Sequence, residues 1–170
     1  MSLASLTASI ENAFDGTAHA GTSLRQFQLT DRCGMSRQIT GDEWATAGKM
    51  RVDTTWQEIP DEEIEECDCL LAHMGPEEFL YYLPAYMRYG LKNHRRPMWE
   101  TDVLGMTLSS LLPSAENEDL RAYTIAQYSA LNETQRQLVV HFLEFTASLK
   151  GDVRHSDALD ALTSYWQKEV

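Results

Sequence analysis

Cys67-x-Cys69-x-x-x-His73 places three soft side chains close together in sequence, the residue types that bind zinc. Zinc sites usually pair their cysteines as C-x2–4-C and take a fourth ligand, and neither condition is met here. A partly buried helix end explains these residues better, and no metal site is expected. His155-Ser156-Asp157 holds the three residue types of a nucleophilic relay. Such relays are built by convergence in space, which adjacent positions do not provide, and no G-x-S-x-G elbow is present. Helix capping by Ser156 is the simpler account. The chain also lacks a Walker motif and H-E-x-x-H. No catalytic residue or cofactor is assigned from the sequence.

Phe14-Asp15-Gly16-Thr17 contains the Asp-Gly-Thr of aspartate-nucleophile phosphatases. Those sites need an aspartate two positions upstream, where Ala13 stands, and a preceding strand instead of the helical pattern found here. The acidic run from Asp61 lacks the alternating oxygens and central glycine of a calcium loop. Carboxylates at a helix start account for it, because the helix dipole favours them there.

Two segments remain as candidate binding elements. Asn93-His94-Arg95-Arg96-Pro97 is a short basic cluster suited to an anionic ligand or an acidic partner, or else a solvent-facing helix exit. Just before it, Phe79 to Tyr89 gathers five aromatic residues around Pro84 in a chain of 9% aromatic content. Phe79, Leu80, Leu83 and Met87 can share one buried stripe. The tyrosines cannot all join it, and a buried tyrosine ring still needs a partner for its hydroxyl. Tyr82, Tyr86, Arg88, His94 and Arg95 are therefore the candidate binding residues.

Acids outnumber bases 26 to 14, for a net charge of −12. That field repels phosphate backbones and anionic lipid, so neither nucleic acid nor a membrane surface is an expected partner. The charges are unevenly spread: Arg88, Lys92, Arg95 and Arg96 lie close together, and six acids fall between Asp61 and Asp68. They form either two solvated helix faces or two patches that meet, in the fold or across a dimer. The three cysteines follow no secreted-protein spacing. The first residues lack a signal-peptide pattern and no run approaches 18 apolar residues, so a reducing compartment, a cytoplasm, is expected.

The elements that would position these groups are helical from end to end. Leu3, Leu6, Ile10, Ala13 and Phe14 recur at helical spacing, and Ser23 with Gln26 reads as a capping box. Pro60 and Gly75-Pro76 mark two further helix starts. Pro84 lacks an N–H and clashes with the Leu80 carbonyl, so two short helices meeting at Pro84 are expected. A short helix after Gly41 and another over residues 101–111 follow the same logic. Residues 120–130 are ambiguous between helix and extended chain. Asn132 opens the clearest helix, with Leu138, Phe142, Phe145 and Leu149 on one stripe, and Ser156 is expected to cap the last. No alternating strand pattern stands out. A length of 170 residues fits one domain over 1–170, able to bury about two-thirds of its unfolded surface without metal or disulfide. The expected class is all-α, a single compact multi-helix domain with a proline-bent aromatic helix at its hub, packed on the 133–149 helix, Trp56 and Trp166.

Several segments resemble a family of small bacterial proteins of unknown function. They are Thr22-Ser23-Leu24-Arg25, Trp56-Gln57-Glu58-Ile59-Pro60, Phe79 to Met87 as F-L-Y-Y-L-P-A-Y-M, Leu131-Asn132-x-x-Gln135, Phe142 to Phe145, and Ala161-Leu162 with Tyr165-Trp166. The resemblance implies one soluble domain and brings no activity, cofactor or catalytic residue. The stretch from Arg37 to Gly48 departs from the family pattern. The function expected is a noncatalytic interaction protein, an adaptor or immunity-like domain, acting on a protein partner or by self-association. The alternative is an enzyme or small-ligand binder with a pocket near the Pro84 bend.

Overall fold

The computed structural model describes residues 1–149 and 151–168, which are helices and connecting turns with no strand among them. The helices are α1 (Leu3–Ala13), α2 (Leu24–Cys33), α3 (Gly41–Lys49), α4 (Asp61–Glu66), α5 (Pro76–Asn93), α6 (Val103–Ser110), α7 (Glu118–Tyr128), α8 (Glu133–Ala147) and α9 (Arg154–Ala161). The fold is all-α, as the periodicity implies.

Local chemistry sets most boundaries. Ser23 accepts from the Gln26 N–H while the Gln26 side chain accepts from the Ser23 N–H, and Asn132 with Gln135 repeats the arrangement at α8. Thr40 and Glu43 do the same for α3, bringing regular structure into the stretch that departs from the family pattern. Two expectations change. Ser156 lies inside the first turn of α9; it is the Asp152 carboxylate that accepts the Arg154 N–H ahead of that helix. The two short helices expected around Pro84 are one, Pro76–Asn93, with Pro84 inside it. A proline within a helix costs about 3 kcal/mol. Eleven buried residues lie on α5, and each large apolar side chain buried is worth about 1.5–3 kcal/mol, so packing wins.

Helix α5 lies at the centre, with α1, α4, α6 and α7 against it; α6 bridges to α9, and α9 pairs with α8. The α2–α3 hairpin docks at one side through the 3-10 turn Leu70–His73. One cluster of buried side chains runs from Leu6 to Trp166. The chain beyond α9 opens into a wider, π-helical turn over Leu162–Trp166, which turns both Tyr165 and Trp166 inward. Trp56 donates to the Phe14 carbonyl and Trp166 to the Leu111 carbonyl, so both buried indoles are satisfied.

The acidic run and the basic cluster meet within the fold. Lys92 reaches Asp61 at 2.7 Å, and Arg96 and the Tyr89 hydroxyl both reach Glu65. Two further acids of α4, buried Glu63 and exposed Glu66, take Arg25 of α2.

Candidate functional site

The tyrosines of α5 are fully or almost fully buried, and each hydroxyl meets a different part of the chain. Tyr81 donates to Asp53 at 2.7 Å, Tyr82 to the Thr22 carbonyl at 2.9 Å, Tyr86 to the Cys67 carbonyl, and Tyr89 to Glu65 at 2.7 Å. Burial pushes all four phenols above their ordinary range; Tyr89, closest to solvent and beside Glu65, reaches about 12. These phenols stay protonated and act as fixed donors. Arg88 gives its guanidinium to the carbonyls of Gln57 and Ile59 and stacks over Trp56. Thus Tyr82, Tyr86 and Arg88 lie inside the fold, holding three segments to α5.

Around Tyr81 sits a cluster that no sequence pattern announces. The Asp53 carboxylate is 4% exposed and accepts from Tyr81 and from two nitrogens of Arg51, whose third donor bonds the Ala20 carbonyl at 2.6 Å. His19 packs edge-on against the Tyr81 ring at the rim of this cluster. Arg51 and Asp53 are two residues apart in an unremarkable loop, and their partner Tyr81 is 28 positions on. The cluster fastens the loop between α1 and α2 to α5.

The cysteines are equally structural. Burial raises the Cys67 thiol to about 12, which disfavours a nucleophilic thiolate at neutral pH. His73 faces Asp31 at 3.2 Å, and among the described residues no three metal-ligating side chains converge.

His94 and Arg95 are the candidate residues brought together on the surface. They line a groove of about 770 Å³ between the exit of α5 and the α8–α9 connection, with Pro97, Met98, Leu149 and Val153. His94 is fixed by its bond to the Leu91 carbonyl and by edge-on packing against Phe145. Arg154 braces the floor: its guanidinium holds Asp152 and reaches the carbonyls of His94 and Arg96. Arg95 projects into solvent with no hydrogen bond or ion pair to a described residue. Met98 and Val153 of the groove are exposed, and Trp99, next in sequence after Met98, is 83% exposed. Trp99 was missed from sequence, although Pro97-Met98-Trp99, an apolar run directly after a basic cluster, is a readable signal.

Fold and surface together define an all-α domain whose aromatic residues are mostly internal and whose polar-rimmed groove faces solvent. The chain belongs to DUF6714, a family of unknown function, whose model matches residues 2–170. The resemblance noted in its motifs points to a family of the same standing. No curated protein and no solved structure matches the chain.

Proposed function

We propose that this chain is a noncatalytic protein-interaction domain that captures an acidic partner segment in the groove at the exit of α5. The observation that carries the proposal is Trp99, a large ring left almost wholly in solvent in a chain whose Trp56 and Trp166 are fully buried. Exposed aromatic and arginine side chains beside a groove are the residue types that dominate binding energy at interfaces. Trp99, Met98 and Val153 offer the apolar contact, while Arg95, free of an internal partner, offers a guanidinium fork to a carboxylate. His94 lines the same groove.

What favours this over a ligand pocket at Pro84 is the state of the rings there. Tyr82 and Tyr86 are fully buried, and their hydroxyls are already committed to backbone carbonyls. A cytoplasmic adaptor or immunity-like role is the version we favour. Affinity capture from the native host at low salt tests it, with the Trp99→Ala and Arg95→Glu chains run in parallel. A partner retained by the unaltered chain and lost by both variants supports the proposal. Recovery of no partner, together with no self-association, sinks it.

A further inference from the structure

One side chain of the groove at the exit of α5 has a nitrogen that nothing in the fold uses. The His94 Nδ1 lies 2.7 Å from the Leu91 carbonyl oxygen, which can only accept, so Nδ1 carries the ring proton and Nε2 the lone pair. Nε2 has no hydrogen bond or ion pair to a described residue. Nor is it covered, because Asp102 Oδ1 is the only buried side-chain polar atom without a partner among the described residues. A nitrogen with neither partner nor cover meets solvent, and the half-buried ring that carries it lines the groove. The Nδ1 bond and the edge-on contact with Phe145, 5.3 Å between ring centres, hold that ring in place.

The other charged groups around His94 are already paired. From the start of α9, Arg154 reaches the His94 and Arg96 carbonyls and is closed on Asp152. Arg96 meets Glu65 and Glu100, and Lys92, on the preceding turn, meets Asp61. Helix α8 brings uncharged Phe145 against the ring, and His155, the nearest second imidazole in sequence to the groove wall, is bonded to the Ala147 carbonyl. Arg95 is exposed and has no ion pair to a described residue. The groove thus offers one uncompensated cation and, beside it, one imidazole nitrogen free to take a proton.

We infer that His94, protonated at Nε2, is the second cation of this groove, and that the groove takes a pair of neighbouring carboxylates more tightly as pH falls. The inference rests on the reading of the groove as the receptor of an acidic segment, and adds which segment it takes and when. Arg95 gives its fork to one carboxylate, and the new Nε2–H donates a charge-assisted hydrogen bond to the next. Histidine is the side chain that ordinarily changes charge between about pH 5 and 8. Above that range Nε2 is an acceptor facing a carboxylate, which has no proton to give, so the second contact is lost. The sign follows from linkage: a ligand that prefers the imidazolium binds best where the ring is protonated and loses affinity as pH rises. Asp and Glu carboxyls titrate at about 4, so an acidic segment stays charged throughout.

The probe is a short rhodamine-labelled peptide of two adjacent glutamates followed by leucine and phenylalanine, bound to the full chain and read by fluorescence anisotropy. Measured at about pH 5.5 and about pH 7.5, at one ionic strength, either side of the imidazole range, its affinity should be about tenfold higher at the lower pH. His94→Gln should bind at both pH values as weakly as the unaltered chain does at the higher one. His94→Arg, permanently charged, should bind tightly at both, and circular dichroism checks that each variant is folded. Nitrogen-15 NMR of the free chain at the higher pH should show a protonated Nδ1 and a bare Nε2 on His94. The reverse tautomer overturns the inference whatever the peptide does. So does a pH dependence that survives His94→Gln, since histidines elsewhere in the chain would then be its source. Binding lost in Trp99→Ala and Arg95→Glu but equal at both pH values overturns this inference and leaves the groove reading standing. Binding that ignores both of those variants overturns the two together. No binding at either pH overturns the carboxylate pair as the occupant, while capture from the native host still decides the groove.

Discussion

Replacing Asp53 with alanine is the sharpest probe of how this fold manages internal charge. The carboxylate is 4% exposed and Arg51 is 14% exposed, so neither is well solvated. Asp53→Ala leaves the guanidinium its bond to Ala20 and its place over the Tyr81 ring but no counter-charge there, and strips the Tyr81 hydroxyl of its acceptor. Removing one partner of a buried pair typically costs about 3–5 kcal/mol, because the remaining charge is stranded. Against a total stability of about 5–15 kcal/mol, the variant should lose about a fifth or more of its margin. Asp53→Asn keeps an acceptor for Tyr81 but not the charge, and should cost about 1–2 kcal/mol. The decisive comparison is the double variant Arg51→Met with Asp53→Ala. With the stranded charge removed, it should be more stable than Asp53→Ala alone by about 1–3 kcal/mol. Urea unfolding at pH 7, with an unchanged slope across the set, measures all three together with Arg51→Met alone. A cost for Asp53→Ala within about 0.5 kcal/mol, the range of ordinary surface sites, would refute the burial argument. Simple additivity of the two single changes would refute the pairing.

Tyr86→Ala should cost about 2–4 kcal/mol by loss of a fully buried ring, and Tyr86→Phe about 1 kcal/mol by loss of the bond to Cys67; chemical denaturation reads both. At Asp102 one carboxylate oxygen is buried without a hydrogen-bond partner, and burial, the largest cause, lifts the carboxyl above 3.8. A raised carboxyl favours folding only where it is protonated, so its ionised form is a cost at neutral pH. Asp102→Asn should therefore raise stability by about 1 kcal/mol at pH 7, with the gain vanishing at acid pH. An equal gain at both pH values would exclude the charge as the cause. Glu43, bonded to Arg37 and Thr40, titrates at about 2 instead of 4.5. A lowered carboxyl supports folding above its unfolded value, and that support is lost as pH falls from 4.5 toward 2. NMR titration should show Glu43 returning toward its ordinary value in Arg37→Gln, and a normal value in the unaltered chain would contradict the ion pair.

What could be read from sequence was what short-range chemistry decides. The capping pairs Ser23 with Gln26 and Asn132 with Gln135 appear at their expected positions, because a cap needs only residues three apart. Helix α7 was ambiguous because it buries Thr124 and Gln127 alongside Tyr128, so its apolar residues alone trace no single stripe. The two helices expected at Pro84 reflect a local rule overruled by packing on every side of α5. Asp53 and Arg51 carried no signal because their partners are fixed only when the loop reaches α5. Of the candidate binding residues, sequence reasoning could not say that Tyr82 and Tyr86 are buried while His94 and Arg95 lie toward the surface. That distinction depends on which neighbours arrive from elsewhere in the chain.

Five polar side chains of α5 tie down three stretches: Tyr82 the segment at Thr22, Tyr81 and Arg88 the segment from Asp53 to Ile59, and Tyr86 and Tyr89 the segment from Glu65 to Cys67. Each is tied to α5 by at least one of these bonds, beside contacts such as Trp56 to the Phe14 carbonyl that do not involve α5. Amide protons scattered across these otherwise unrelated loops should thus exchange with solvent at rates set by the same global opening. The helix works as a spindle whose withdrawal lets every spoke go at once.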